Sequence, residues 1–367
     1  MSDATSPAEA GTLRGATGAS AAPPAGSAIR RVSISTGSRL HFGLLSVGRT
    51  EGRQFGGVGM MIREPGWTLT VRPLDPSHPI AGPESAIGLD RISVRGTARL
   101  SPARQIRIAE LLRQWRELTG IALPPVEIEI SAAIPEHVGL GSGTQLALAL
   151  HSALHACTQT PLPELSERSF QAGRGRRSGI GSHGFEQGGW LIEAGKSAPD
   201  GLSPLLGRIS FPEEWPILLI RPTDDQGLSG DAELCGFRRL PPMPSTLTDR
   251  LASLLLLELW PAVIERRYDL FAAALTSYGR LVGSYFAPAQ GDVYSHPRMQ
   301  QFEAAAAAAG ATAVAQTSWG PTLAVICADA ATAACVRSEL SRRWPQGDIE
   351  VQQTHALNEG ARLQLLD

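Results

Sequence analysis

Apolar and polar positions alternate through Val32-Ser-Ile-Ser-Thr36, the two-residue period of a half-buried strand, and Gly37-Ser-Arg39 predicts a turn into Leu40-His-Phe42. Trp67 to Val71 reads as a second strand, followed by an excursion that carries Pro73, Pro76, Pro79, Gly82 and Pro83. The period then changes. Ile106, Ala109, Leu112 and Trp115 recur at helical spacing with Arg and Glu on the other face, which predicts a packing helix stopped by Pro124-Pro125. Val126, Ile128 and Ile130 alternate with Glu127 and Glu129 as another half-buried strand, and further on Leu146, Ala147, Leu150, Leu154 and Cys157 share one helical face. Strands are predicted over Trp190 to Ile192 and Trp215 to Ile220, and a lobe boundary near Pro241 to Pro244. Beyond it Leu251 to Leu259, Tyr268 to Phe286 and Gln301 to Ala309 read as helices, the last stopped by Gly310. Ala313 to Thr317 and Thr322 to Cys327 read as strands joined by the turn Ser318-Trp-Gly-Pro321, then Ala330 to Trp344 as a helix and Ile349 to Gln353 as a last strand.

The run Pro135-Glu136-His137-Val138-Gly139-Leu140-Gly141-Ser142-Gly143-Thr144-Gln145 joins a strand to a helix. Glycines at 139, 141 and 143 let backbone N–H groups approach a ligand, and Ser142 and Thr144 bring hydroxyls to the helix start. Phosphate is the natural guest. A helix N-terminus favours an anion by only about 0.3–1 kcal/mol, up to about 2 when partly buried, so holding a pyrophosphate requires cationic side chains from elsewhere. A glycine-rich helix start without a ligand is the plainer alternative.

Several arginines are placed to supply that charge. Arg39 suits a phosphate contact and His41 an acid/base role, although an Arg and a His near a strand are commonly structural. Arg53 lies among the glycines of Thr50 to Gly59, where a guanidinium can swing onto phosphate or carboxylate, a contact worth about 1.5–3 kcal/mol when charge-assisted. Arg174, Arg176 and Arg177 precede Ser178-Gly-Ile-Gly-Ser182, an arrangement that favours an anion clamp over a merely solvated face. His151 and His155 stand at i and i+4, a spacing zinc sites use, but no third ligand lies nearby and the intervening Glu of a His-Glu-x-x-His motif is missing, so zinc is not expected. Arg221-Pro-Thr-Asp-Asp225 and Gly227-Leu-Ser-Gly230 resemble the phosphoribosyl pyrophosphate loop of classical phosphoribosyltransferases. No doubly wound pattern surrounds them, which leaves Asp224 or Asp225 as indirect magnesium contacts.

Composition narrows the class. The 367 residues exceed the roughly 250–300 at which one core stops growing, so two lobes are expected, and 43% hydrophobic residues suit a soluble enzyme. A formal net charge of -2 gives no general reason to expect nucleic acid or a membrane as partner. Cys157, Cys235, Cys327 and Cys335 are far apart and read as reduced thiols of a cytoplasmic protein. Residues 1–28, rich in Ala, Gly, Ser, Thr and Pro, read as a disordered tail, and neither a secretory core nor a membrane-spanning apolar run is found.

Pro135 to Ser142, in the pattern Pro-x-x-x-Gly-Leu-Gly-Ser, resembles the phosphate loop of the GHMP kinase superfamily, although Gly143 and Thr144 stand where those kinases usually have a second Ser and a small residue. Together with Arg39-Leu-His-Phe-Gly-Leu-Leu45, Gly52-Arg-Gln-Phe-Gly-Gly-Val-Gly59 and Arg174-Gly-Arg-Arg-Ser-Gly-Ile-Gly181, it resembles one branch, the beta-ribofuranosylaminobenzene 5'-phosphate synthases, over residues 31–195 and more weakly to the C-terminus. The resemblance implies an α+β, GHMP-kinase-like two-lobe architecture: an N-terminal α/β lobe with the anion loop (29–240) and a C-terminal ferredoxin-like α+β lobe (241–367). It also implies transfer of phosphoribose from phosphoribosyl pyrophosphate to 4-aminobenzoate or 4-hydroxybenzoate with loss of carbon dioxide and pyrophosphate, assisted by Mg2+, in tetrahydromethanopterin biosynthesis. On that reading Gly139, Gly141, Ser142, Gly143, Thr144, Arg39, Arg174, Arg176, Arg177 and Ser182 bind phosphate groups and substrate, and Glu186, His41 and Arg53 carry the chemistry. Glu186-Gln187 resembles the Asp-Gln or Asp-Asn pair whose Asp is the acid/base in GHMP kinases, one methylene longer. Ser46 follows Leu45 where the family often has an acidic residue, and Gly320-Pro321 resembles the third motif, a turn of the C-terminal lobe that faces the pocket. A homodimer is compatible with this picture. Two other readings stand beside it, an ATP-dependent small-molecule kinase on the same scaffold and a non-catalytic phosphosugar-binding protein.

Overall fold

A computed structural model describes residues 29–49, 51–74, 85–87, 90–198, 201–224 and 230–366, so the expected tail, residues 1–28, lies outside the described residues. In chain order the elements are β1 (Arg31–Ser46), β2 (Phe55–Pro73), β3 (Ser85–Ile87), β4 (Asp90–Val94), α1 (Pro102–Thr119), β5 (Val126–Ala132), α2 (Ser142–Cys157), α3 (Leu165–Gln171), α4 (Ile180–Gln187), β6 (Trp190–Glu193), β7 (Leu205–Ile209) and β8 (Ile217–Pro222). There follow α5 (Gly230–Arg239), α6 (Ser245–Ser253), a π-helical stretch (Leu254–Leu259), α7 (Trp260–Ile264), α8 (Tyr268–Gln290), α9 (Arg298–Ala308), β9 (Ala313–Gln316), β10 (Leu323–Ile326), α10 (Ala330–Arg343), β11 (Ile349–Thr354) and β12 (Arg362–Leu366).

The strands form an eight-stranded sheet, in which β12-β1-β2-β5-β4-β3 are neighbours and β6 links β2 to β7, and a four-stranded sheet ordered β11-β8-β10-β9. The chain therefore crosses between lobes. β8, ahead of the boundary expected near 240, belongs to the second sheet, and β12, the last strand, returns to pair antiparallel with β1 in the first.

Gly37 shows how local chemistry shapes the first sheet. The alternation predicts two short pieces separated by a turn, but β1 runs unbroken, with its pairing to β2 slipping between Thr36 and Ser38. A Cβ at Gly37 would lie 2.0 Å from the Ile62 carbonyl oxygen, so glycine at the bulge lets the two backbones touch. In α1 the buried apolar residues are Ile108, Leu111, Leu112 and Trp115, whereas Ile106 is 57% exposed; the apolar stripe is rotated from the one expected. The helix ends at Gly120 in a left-handed cap, φ 63°, before the two prolines are reached.

Packing between the lobes is aromatic. Phe42 of β1 stacks on Trp190 of β6 with centroids 5.5 Å apart, Trp190 on Phe211 at 5.6 Å, and Phe211 meets Phe271 of α8 edge-on at 5.4 Å. Each such ring, fully buried, contributes about 1.5–3 kcal/mol. A second core under the four-stranded sheet joins Leu218, Ile220, Phe302, Val325, Val336 and Leu340.

Candidate anion-binding and active site

Gly141 caps α2 in the left-handed conformation, φ 72°, and its carbonyl accepts the N–H groups of Thr144 and Gln145. The N–H groups at the very start of the helix have no helical partner. Each loop glycine also admits one neighbour. A Cβ on Gly139 would lie 2.3 Å from the Thr317 carbonyl oxygen, one on Gly141 3.2 Å from Arg39 Cγ, and one on Gly143 3.0 Å from Arg174 Nη2. The loop is thus clasped by two arginines and by the turn that follows β9.

Hydrogen bonds hold this contact. Arg39 Nη1 donates to Gly139 O at 2.9 Å, and its backbone N–H donates to Leu140 O at 3.1 Å. Arg104, buried on α1, donates from Nη2 to Ser142 Oγ at 3.1 Å, and Trp67 donates from Nε1 to Ser142 O at 3.0 Å. From the C-terminal lobe, Thr317 Oγ1 donates to Gly139 O at 2.9 Å and accepts the His41 N–H at 3.0 Å, while the Ser318 N–H donates to His41 O at 2.8 Å. One threonine therefore ties β1, the anion loop and the second lobe together.

Positive charge gathers at the start of α2, with Glu136 Oε1 of the loop 3.4 Å from Arg104 Nε. Burial, and then the charges of Arg107, Arg104 and Arg176, push the Arg174 guanidinium down to about 10. Among the described residues no carboxylate pairs with it. A cavity of about 370 Å³ adjoins, lined by Ser166, Ser169, Phe170, Arg174, Arg176 and Lys196. At the other end of the loop, burial and then Arg39 and Arg177 hold the His41 imidazole well below its usual range, so it is neutral at pH 7. The Arg177 guanidinium lies 4.5 Å over the Phe237 ring, and Phe237 meets Trp319 of the Ser318–Pro321 turn edge-on at 5.2 Å. A cationic end and an aromatic end beside a neutral histidine are thereby set along the loop.

The structure brings Arg39, His41, Gly139, Gly141, Ser142, Gly143, Thr144, Arg174 and Arg177 into this arrangement, with Arg176 on its exposed margin. Other expected residues lie elsewhere. Glu186, near the end of α4, pairs with buried Arg168, because the rise of about 1.5 Å per residue carries it along the helix away from the loop. At the head of that helix stands Gly181, where a Cβ would lie 3.3 Å from Thr144 Cγ2; the position facing the loop carries no side chain. Ser182 is buried and bonded to Ser169 Oγ at 3.0 Å. Arg53 is exposed and donates from Nε to Gly195 O at 3.0 Å. Asp224 is engaged by Arg298 and lies near His296, an arrangement that does not fit a magnesium ligand, and Asp225 lies outside the described residues. Among the described residues no group of His, Cys, Asp and Glu is gathered to hold a metal ion, the His151–His155 pair included.

Two residues that touch the loop escape sequence reading. Arg104 belongs to a helix whose arginines look like a solvated face, and Thr317 is legible only as the edge of the Gly320-Pro321 turn.

Comparison with known proteins places this geometry. The GHMP kinases N terminal domain matches residues 105–187, and the GHMP kinases C terminal domain matches residues 259–346. The chain belongs to the GHMP kinase superfamily and has its two-lobe α+β fold. Within it, the chain is similar to the beta-ribofuranosylphenol 5'-phosphate synthase of Methanothermobacter thermautotrophicus, 29% identical over 303 residues that cover 78% of this chain and 86% of that protein. The same-named protein of Methanocaldococcus jannaschii is 29% identical over 66% of this chain and 75% of its own length. The fold is shared with a homoserine kinase from Cytophaga hutchinsonii, TM-score 0.62 at 16% identity, covering 92% of this chain and 98% of that one. It is shared also with a mevalonate diphosphate decarboxylase from Staphylococcus aureus, TM-score 0.63 at 12% identity over the same shares. No helix of the described residues is long and apolar enough to cross a membrane.

Proposed function

We propose that the protein is a beta-ribofuranosylphenol 5'-phosphate synthase-type enzyme, a pentosyltransferase that joins phosphoribosyl pyrophosphate to a 4-substituted benzoate in the tetrahydromethanopterin pathway. The relatives' product is a phenol, which is what 4-hydroxybenzoate becomes when its carboxylate is replaced, so 4-hydroxybenzoate is the preferred acceptor over 4-aminobenzoate. A bond forms between the anomeric carbon and the ring carbon that carried the carboxylate. The anomeric C–O bond breaks with release of pyrophosphate, the carboxylate leaves as carbon dioxide, and no net oxidation occurs.

The carrying observation is the Gly139–Thr144 loop with Arg104 and Arg174 on its helix start and Gly181, rather than a carboxylate, facing Thr144. Arginines and free N–H groups stabilise the charge that develops on a departing pyrophosphate. A kinase that takes the hydroxyl proton with a carboxylate at the head of α4 would need one where Gly181 stands. In this reading Arg177, Phe237 and Trp319 receive the aromatic ring. Neutral His41 takes the proton of the ring hydroxyl, which raises electron density at the attacking carbon. Magnesium, which prefers substrate phosphates and water to an all-protein cage, is expected to arrive on the pyrophosphate, and no step is assigned to it.

The decisive test is release of labelled carbon dioxide from carboxyl-labelled 4-hydroxybenzoate. Release that depends on phosphoribosyl pyrophosphate is expected. ATP consumption with ADP release and no labelled gas would replace this reading with a kinase, and tight binding of both substrates without turnover would replace it with a phosphosugar-binding protein.

A further inference from the structure

Beyond the loop, α3 and the run that leaves it bound the cavity of about 370 Å³. Its polar lining is cationic: Arg174, Arg176 and Lys196 line it with the hydroxyls of Ser166 and Ser169, and among the described residues no carboxylate does. Two of these residues are anchored from behind. Lys196 is buried and its Nζ donates to Arg176 O at 3.0 Å, and Ser169, also buried, donates from Oγ to Ser182 Oγ at 3.0 Å. The Arg176 side chain is exposed, and among the described residues it has no hydrogen-bond or ion-pair partner. Across Phe170, which is 70% exposed, lies a second cavity of about 450 Å³, but there Glu117 shares the lining with Arg107 and Arg176. A doubly charged anion is therefore favoured in the first cavity, where cations and hydroxyls stand without a carboxylate.

Arg174 joins this cavity to the anion loop. It lines the cavity, its Nη2 is 3.0 Å from the position of a Cβ on Gly143 at the start of α2, and its buried Nε has no partner. A guanidinium presents five N–H donors in a fixed fork, so one side chain serves an anion on each side. A pyrophosphate held at the loop alone leaves the Arg176 charge without an anion. The donor of the proposed reaction carries a second anionic group, the phosphate monoester on the fifth ribose carbon, a sugar ring away from the pyrophosphate.

We propose that the cavity lined by Ser166, Arg174 and Arg176 is the subsite for the 5-phosphate of the phosphoribosyl donor, with the pyrophosphate on the Gly139–Thr144 loop and Arg174 shared between the two. Arg176 and Ser166 bind the monoester, Lys196 holds the Arg176 backbone in place, and Phe170 offers an apolar edge to the sugar. Two phosphate contacts fix both ends of the ribose, and the end of the loop beside His41 and Phe237 is left to the acceptor. The inference rests on the proposed reaction for the identity of the donor.

The test is calorimetric titration of the full chain with two probes, ribose 5-phosphate and pyrophosphate. In the wild type, ribose 5-phosphate is expected to bind with pyrophosphate already in place, its Kd changed less than about fivefold. Mutual exclusion of the probes, or no binding of ribose 5-phosphate at millimolar concentration, would overturn the subsite without any variant. Arg176→Ala, at an exposed position, is expected to weaken ribose 5-phosphate about tenfold or more and pyrophosphate less than about twofold, with R176K recovering part of the loss. Ser142→Ala is expected to do the reverse. Equal losses for both probes in R176A, or no loss for either, would also overturn the division. Because neither probe turns over, absence of carbon dioxide release in the wild type would sink the reaction while leaving two subsites standing. Carbon dioxide release with an unchanged KM for phosphoribosyl pyrophosphate in R176A would sink the subsite alone.

Discussion

Arg168 and Arg174 stand on α3 and on the run that leaves it, and their surroundings are opposite. Arg168 is buried with each part of its guanidinium occupied: Nη2 pairs with Glu186, Nη1 donates to Ser152 Oγ at 3.1 Å and Nε to Pro163 O at 2.9 Å. Arg174 faces Arg104, Arg107 and Arg176. A charge matched inside the folded chain holds helices together. A charge kept among like charges is held there against its own repulsion, and an anion is the partner that relieves it. The two residues look alike in sequence, yet one is cement and the other is proposed as a binding group.

The largest effect should come from two buried imidazoles of α2, His151 and His155. Burial first, with Arg168 nearby, pushes both imidazoles from 6.5 down to about 4. Between these pH values the unfolded chain binds protons that the folded one refuses. Stability is therefore full above about pH 6.5 and lost as pH falls toward 4, by roughly 3 kcal/mol for each histidine. Urea midpoints across this range should fall steeply, and His151→Leu should flatten the fall; a flat wild-type profile would show that burial does not keep these rings neutral.

Next come the two arginine environments themselves. Arg174→Ala should lower kcat/KM for phosphoribosyl pyrophosphate about 10–150-fold, the equivalent of about 1.5–3 kcal/mol, with stability unchanged or raised. Glu186→Gln should do the reverse, lowering stability by about 1–3 kcal/mol while turnover stays within about twofold. Chemical denaturation and product formation measured on both variants would break the contrast if the outcomes were exchanged. The smallest effect is expected at Arg53, exposed and bonded to a backbone carbonyl. Arg53→Ala should change kinetic constants less than about threefold, and a tenfold loss would draw it into the site.

Glu186 and Glu193 show where reading along the chain stops. Both are acidic residues close to Gly188-Gly189, and the order Glu-Gln after a glycine segment favours the first as acid/base. A helical turn brings Glu186 to a buried arginine, while the pairing of β6 with β2 buries Glu193, whose carboxylate accepts the Gly179 N–H ahead of α4. Arg104 was hidden for the same reason, since its role depends on α1 lying across the start of α2.

The anion loop, the strand before it, the helix after it and the membership of the superfamily were legible residue by residue, because glycine spacing and apolar period act over a few neighbours. Which arginine stands among like charges, which carboxylate is buried at the entry to α4, and that Thr317 closes the loop from the other lobe depend on contacts between residues far apart in the chain. Charge compensation and burial are properties of those contacts, and no local pattern carries them.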